Sequence, residues 1–159
     1  MSKKYLFSLL ISILVVFSAG FIGSLFTTPN ISTWYAFINK PSFSPPNWLF
    51  APAWTLLYIL MAISAFLIWQ ERDNLKTKQA LTFYGIQLIL NTLWSIIFFG
   101  MHNPGLASLE IIILWLFILI TLIKFYKINK TAGLLFIPYL LWVSFASILN
   151  LFVWMINIS

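Results

Sequence analysis

Five stretches of predominantly apolar residues, 5–26, 46–69, 80–99, 106–125 and 132–156, follow one another with little sequence between them. Each is near the ~20 residues a helix needs to cross the hydrocarbon core of a bilayer. Together they leave too few polar residues to cover a water-soluble domain: 62% of the 159 residues are hydrophobic and 8% are charged. A bilayer accepts an apolar exterior if every backbone polar group is bonded within the segment, which a helix achieves. The expected fold is an all-α integral membrane protein, one domain over residues 1–159, built as a five-transmembrane-helix bundle with a long loop between helices 1 and 2.

The breaks carry turn-forming sequence: Thr28-Pro29-Asn30, Glu71-Arg72-Asp73-Asn74, His102-Asn103-Pro104-Gly105 and Lys127-Ile128-Asn129-Lys130. A net charge of +6 would suggest nucleic acid in a soluble chain, but here the basic residues flank apolar runs and read as topology signals. Lys3, Lys4, Arg72, Lys76, Lys78, Lys124, Lys127 and Lys130 share one side of a five-span arrangement, and Lys40 lies opposite. By the positive-inside rule the amino terminus is expected in the cytoplasm and the carboxyl terminus outside. Short loops and a lysine- and asparagine-rich style fit a bacterial plasma membrane. Ser18-Ala19-Gly20 resembles a signal-peptide cleavage site, yet the apolar run continues to Phe26, so a spanning helix is expected instead.

The polar residues inside the spans are arranged on faces. On helical spacing Trp54, Tyr58, Met61, Ala65 and Trp69 share one face of the second span, and Gln87, Asn91, Trp94, Ser95 and Phe98 one stripe of the third. Tyr139, Trp142, Ala146 and Asn150 share a face of the fifth, with a kink expected at Pro138. Amides facing hydrocarbon are costly, so these faces meet protein, water or ligand. One reading is interhelical hydrogen-bond glue with aromatic filler. The other is a cavity for a large, flat, mostly apolar molecule oriented by a few hydrogen bonds. Residues 27–47, rich in Trp, Tyr, Phe and Pro, form either a lid or an interfacial anchor.

Glu110 is the acidic residue placed within a span, and two roles are open: a carboxyl tolerated near a helix start, or a proton-coupling or ligand-contacting group. His102 stands as a turn residue against the alternative of haem ligation. The absence of cysteine removes thiolate chemistry, no metal site is expected, and nothing matches a phosphate loop, a Ser-His-Asp set or paired carboxylates. Ala19 to Gly23 and Gly20 to Ser24 form a small-residue seam suited to the bundle or to a dimer.

Several spaced motifs are shared with a known family: Trp34-Tyr35, Lys40-Pro41, Pro45-Pro46-x-Trp48-x-Phe50-x-Pro52-x-Trp54-Thr55-x-x-Tyr58, Leu90-Asn91-x-x-Trp94-Ser95-x-x-Phe98-Phe99, and Pro138-Tyr139-x-x-Trp142-x-x-Phe145-Ala146-x-x-Leu149-Asn150. Over almost its whole length the chain resembles the tryptophan-rich sensory protein/translocator protein family, also called the peripheral benzodiazepine receptor family. The resemblance implies a five-helix fold, a homodimer, and a pocket beneath the first long loop for porphyrins and for synthetic isoquinoline or benzodiazepine-type ligands. Carried onto matching positions, the pocket would use Trp34, Tyr35, Trp54, Tyr58, Asn91, Trp94, Ser95, Trp142, Phe145 and Ala146. The stripe and face assignments add Gln87, Phe98 and Tyr139. Two departures stand out. Phe43 occupies a position that is Trp in many relatives, and no Lys or Arg follows Lys130, so the sterol-recognition pattern of animal members is missing from the fifth helix. The formal match at Leu122, Tyr126 and Lys130 is too permissive to count for much.

The function expected is a membrane receptor or carrier binding tetrapyrroles such as protoporphyrin IX or haem-like molecules. Transport and light- and oxygen-dependent degradation of the ligand are extensions of that reading. In the second of these the porphyrin is the photosensitiser, Trp54 and Trp142 are the candidate photochemical residues, and no intrinsic cofactor is needed. A proton-linked transporter using Glu110 and a sterol-binding membrane protein are the alternatives, although the inverted repeats common in secondary transporters are not evident.

Overall fold

The structure, a computed structural model, describes residues 3–71 and 75–158. Arg72, Asp73 and Asn74, expected in the second connection, lie outside the described residues. Among the described residues there is helix and no strand. The spans are α1 (Lys3–Ile31), α3 (Phe50–Trp69), α4 (Leu75–Ser95), α5 (Pro104–Ile128) and α7 (Ile137–Ile156), with the short helices α2 (Trp34–Phe37) after α1 and α6 (Lys130–Leu134) before α7. Five segments are long and apolar enough to cross a membrane, in agreement with the sequence. Leu14, Phe21, Leu109, Ile112 and Leu141 are each about half exposed or more. This apolar outer surface suits lipid rather than water.

The first boundary differs from the sequence reading: α1 runs to Ile31, straight through Pro29. Proline removes the backbone donor to the Leu25 carbonyl, while side chains bond other carbonyls of the last turn. Asn30 Nδ2 donates to the Phe26 carbonyl at 2.8 Å, and Thr33 Oγ1 donates to the Pro29 carbonyl at 2.8 Å. The connection to α3 is correspondingly shorter than residues 27–47, and α2 and a 3-10 turn at Asn47–Leu49 occupy part of it. At the other end Pro138 stands in the first turn of α7, where a missing donor costs least. The fifth span is interrupted at Leu135 and Phe136 rather than kinked mid-helix. The Ala132 carbonyl at the interruption accepts from Ser64 Oγ on α3 at 2.7 Å. Asn103 and Asn129 cap α5 and α6 with side-chain oxygens accepting from Leu106 N and Ala132 N, each at 3.0 Å.

In the bundle α1 packs on α3 and α4, α4 on α5, and α5 on α7, while α6, at the start of the fifth span, joins α3 to α5 and closes the ring in the order α1, α3, α6 with α7, α5, α4. The small-residue seam of α1 serves this ring. A Cβ on Gly20 would collide with the Tyr58 ring, Gly23 backs onto Ser95, and Thr92 Oγ1 donates to the Ala19 carbonyl at 3.0 Å. The core beneath is apolar and aromatic, with Met61, Ile68, Ile118, Phe125, Phe136 and Tyr139 fully buried. Lys76, Lys78, Lys124, Lys127 and Lys130 collect at one end of the ring and Lys40 at the other. Trp69, placed by spacing on the inner face of α3, is 40% exposed at the helix end, whereas Met61 and Ala65 of that face are buried.

Two glycine substitutions are expected to move stability in opposite directions. A Cβ on Gly133 would lie 2.7 Å from the Tyr126 backbone nitrogen, which cannot yield without separating α6 from α5. Gly133→Ala should therefore destabilise by about 1–3 kcal/mol, as overpacking does. Gly85 has nothing within 4 Å of such a Cβ, so Gly85→Ala should stabilise by roughly 0.5–1 kcal/mol through helix propensity. Thermal unfolding in detergent, followed by circular dichroism, checks both signs.

Candidate ligand cavity

The end of the ring that carries α2 encloses a cavity of about 380 Å³, within the ~300–1,000 Å³ typical of small-molecule sites. Three walls are aromatic: Trp54 and Tyr58 from α3, Trp94 from α4, and Trp142 from α7. A π-helical turn at Ile96–Gly100 closes α4, with Met101 N donating to the Ile96 carbonyl at 2.8 Å. Phe98 and Phe99 of this turn both line the cavity, beside Trp94 and Ser95 of the regular helix before it. The fourth wall is α1, where Gly20, Gly23, Ser24, Thr27 and Thr28 present mainly small side chains. Ser24 and Thr27 donate their hydroxyls to the Phe21 and Gly23 carbonyls of their own helix, leaving methyl and methylene surface toward the space.

The exposed members of the lining are Phe17, Phe21, Thr28, Ala51 and Thr55, all from α1 and α3. The cavity therefore opens sideways between these helices, onto the apolar flank of the bundle.

The floor is a chain of hydrogen bonds. Tyr58 OH donates to Asn91 Oδ1 at 3.2 Å, Asn91 Nδ2 donates to Tyr139 OH at 3.1 Å, and Tyr139 OH donates to Gln87 Oε1 at 3.1 Å. Gln87 and Tyr139 are fully buried and Asn91 nearly so. A second cluster lies at the side: Trp94 Nε1 donates to Asn150 Oδ1 at 2.9 Å, and Asn150 Nδ2 donates to Ser108 Oγ at 2.7 Å and to the Pro104 carbonyl at 2.8 Å. By contrast the indole N–H groups of Trp54 and Trp142 and the Ser95 hydroxyl have no hydrogen-bond partner among the described residues, yet are not sealed away.

The loop after α1 is a lid and an anchor at once. Tyr35 is buried in the lining, edge-on to Phe50 and tilted against Phe98 and Phe99, while Phe37 and Trp48 point outward, 87% and 72% exposed. Burial pushes the Tyr35 phenol above its ordinary range, opposed by the Ser44 hydroxyl 3.5 Å away. Lys40 Nζ caps α2 through the Tyr35 and Ala36 carbonyls at 2.6 and 3.4 Å and lies over the Tyr35 ring. Asn157 fastens the loop to the end of α7: Asn39 N donates to Asn157 Oδ1 at 3.1 Å, and Asn157 Nδ2 donates to the Asn39 carbonyl at 2.9 Å. His102, in a left-handed turn conformation at φ 50°, stacks on Trp34 with ring centroids 4.6 Å apart. Its Nε2 lies 2.8 Å from Asn30 Oδ1. The ring is committed to this clamp, which accounts for His102 as a turn residue.

Of the residues singled out by sequence, Tyr35, Trp54, Tyr58, Trp94, Ser95, Phe98, Trp142 and Ala146 line the cavity. Gln87, Asn91 and Tyr139 stand one layer below, in the floor. Trp34 faces His102 and packs edge-on to Phe98. Phe145 packs between Phe43 and Trp142, and Phe43 also meets Phe152 edge-on at 5.3 Å. Sequence reasoning missed the α1 wall, although the small-residue seam was its signal. It also left Asn150, already on the chosen face of α7, out of the site.

The TspO/MBR family model matches residues 12–155. The chain belongs to the TspO/MBR family. It is 46% identical to the tryptophan-rich protein TspO of Archaeoglobus fulgidus over 94% of this chain and 96% of that one. It is 39% identical to the tryptophan-rich protein TspO of Chlorobaculum tepidum over 98% and 99%. The human translocator protein shares 35% identity over 87% of this chain and 82% of its own length. As a TspO/MBR family member with five spanning segments it is a multi-pass membrane protein.

The floor and the wall should respond differently to truncation. Asn91→Ala strands the Tyr58 hydroxyl and removes the donor to Tyr139, whose own bond to Gln87 remains, and should cost about 1–3 kcal/mol of stability. Ser95→Ala breaks no protein hydrogen bond and should stay within about 0.5 kcal/mol of the parent. Thermal unfolding of both variants in the same detergent tests the distinction.

Proposed function

We propose that this TspO/MBR protein is a membrane receptor or carrier for flat, mostly apolar ligands of the tetrapyrrole class, with protoporphyrin IX and haem-like molecules as the type. The observation that carries the reading is the cavity with indole rings on three walls and an opening between α1 and α3. A membrane-dissolved macrocycle enters from the bilayer side, lays its faces against Trp54, Trp94 and Trp142, and meets the free donors of Trp54, Trp142 and Ser95 with its polar edge. Isoquinoline and benzodiazepine-type molecules share this chemistry of flat rings and a hydrogen-bond acceptor. Relatives named translocator protein and tryptophan-rich sensory protein fit the same receptor or carrier role.

A bound porphyrin supplies photochemistry when light and oxygen are present. Trp54 and Trp142 are the oxidisable side chains set against it, so ligand degradation is the reaction this site would promote. By the positive-inside rule we place the lysine-rich end in the cytoplasm of a bacterial plasma membrane and the cavity outside. A homodimer would use an outer apolar face, because the α1 seam is occupied within the chain.

Protoporphyrin titrated in the dark into protein in nanodiscs should quench tryptophan fluorescence saturably. Illumination in air should then yield a product distinct from free-solution bleaching, lost in Trp54→Phe and Trp142→Phe. Saturable binding with ordinary bleaching leaves the receptor and removes the photochemistry. Absence of saturable binding contradicts the tetrapyrrole reading itself.

A further inference from the structure

Glu110 lies in α5, six residues beyond Pro104, and is 5% exposed. Both carboxylate oxygens are buried without a hydrogen-bond partner. Buried polar atoms are nearly always paired, so an orphaned carboxyl inside a bundle requires a specific account. An ionised carboxylate here would face a poorly polarisable interior with no donor to compensate it, the least favourable state available to it.

No cation of the packed helices reaches it. The ionisable residues of those helices are Lys76, Lys78 and Tyr84 on α4, Tyr139 on α7, Lys130 on α6, Tyr58 on α3, and Lys124, Tyr126 and Lys127 on α5 itself. The lysines belong to the opposite end: Lys124 is fourteen residues further along α5, about 21 Å at 1.5 Å per residue, and its Nζ lies over the Phe83 ring. The Tyr139 hydroxyl is committed to Gln87. His102, at the near end, is held by Trp34 and Asn30. Among the described residues no cluster of His, Cys, Asp and Glu offers a metal cage, and the Ser108 hydroxyl is taken by Asn150 and by the Pro104 carbonyl. A proton is the remaining way to neutralise the group.

We propose that Glu110 is a proton-binding site of the bundle, carried as the neutral acid while α5 is packed, and that its ionisation loosens the packing of α5 on α4. Residues two apart on a helix face different sides, so Glu110 points away from the Ser108–Asn150 contact with α7. Phe117, two turns further along on its own stripe, packs on Phe83 of α4 with ring centroids 5.8 Å apart. To ionise, Glu110 needs water or a new donor, and admitting either parts the contacts that bury it. The proton site stands independently of the tetrapyrrole reading.

Infrared spectra of the whole protein in nanodiscs, without ligand, test this in the parent, Glu110→Gln and Glu110→Asp. The parent should show the C=O stretch of a protonated carboxyl at neutral pH, shifted in Glu110→Asp and absent from Glu110→Gln. A group held neutral in the folded state contributes stability at low pH that is lost as the pH rises. The thermal midpoint of the parent should therefore fall relative to that of Glu110→Gln as the pH is raised. A folded parent lacking the protonated band at neutral pH, or parallel stability profiles in parent and Glu110→Gln, overturns the proposal. If Glu110→Gln does not fold, the shift of the band between parent and Glu110→Asp decides the assignment, and an identical band in the two rejects it.

Discussion

Three spanning helices meet at one amide. Asn91 accepts from Tyr58 on α3 and donates to Tyr139 on α7, and Tyr139 passes the chain back to Gln87 on α4. In hydrocarbon, helix association lacks the hydrophobic drive available in water, so packing of small residues and buried hydrogen bonds hold the bundle together. Below this chain the core is filled by Met61, Tyr84, Phe125 and Phe136; above it the same helices part around a cavity. The hydroxyl of Tyr58 is tied down in this floor, which fixes the ring that Gly20 must approach. The glycine seam of α1 and the polar chain are therefore one device: the first lets α1 come close, and the second supplies the rigid face it comes close to.

The two openings such a cavity needs to manage are treated unequally. Toward the membrane surface, the loop after α1 is fixed at its start by the His102–Trp34 stack, at α2 by Lys40 and at Asn39 by Asn157. Toward the bilayer, between α1 and α3, the lining is exposed and consists of Phe17, Phe21 and short side chains. A molecule dissolved in lipid meets no polar barrier on that side, whereas one in water must displace a pinned loop. The geometry favours guests that partition into membranes, in keeping with the flat aromatic class inferred from the walls.

Much of this was legible in the sequence because a membrane imposes long apolar runs and penalises unpaired amides. The spans and the inward faces of α4 and α7 follow from those two rules, and Trp54, Trp94 and Trp142, selected by helical spacing and shared motifs, line the cavity. What was not legible depends on tertiary detail. Pro29 reads as a helix stop, yet α1 continues through it to Ile31 with the loss of one backbone donor. Phe99 lies off the stripe chosen for the third span, yet it lines the cavity beside Phe98 from a π turn that has no sequence signature. Trp34 and Tyr35 are neighbours in a shared motif, but only Tyr35 turns into the cavity, since Trp34 is captured by His102 from another connection. The α1 wall was overlooked because a lining made of Gly, Ser and Thr looks like packing surface, which it also is.

The central claim is that guests are held between α1 and the aromatic walls, and amide NMR with a paramagnetic manganese porphyrin addresses it directly. In protein reconstituted in isotropic bicelles, the amide signals of Gly20, Gly23 and Ser24 should broaden saturably at low porphyrin concentration, while Gly85 and Gly133 remain sharp. Broadening that spreads evenly over the lipid-facing residues Leu14, Leu109 and Leu141, without saturation at α1, would mean that porphyrin merely dissolves around the bundle and that the cavity is not its site.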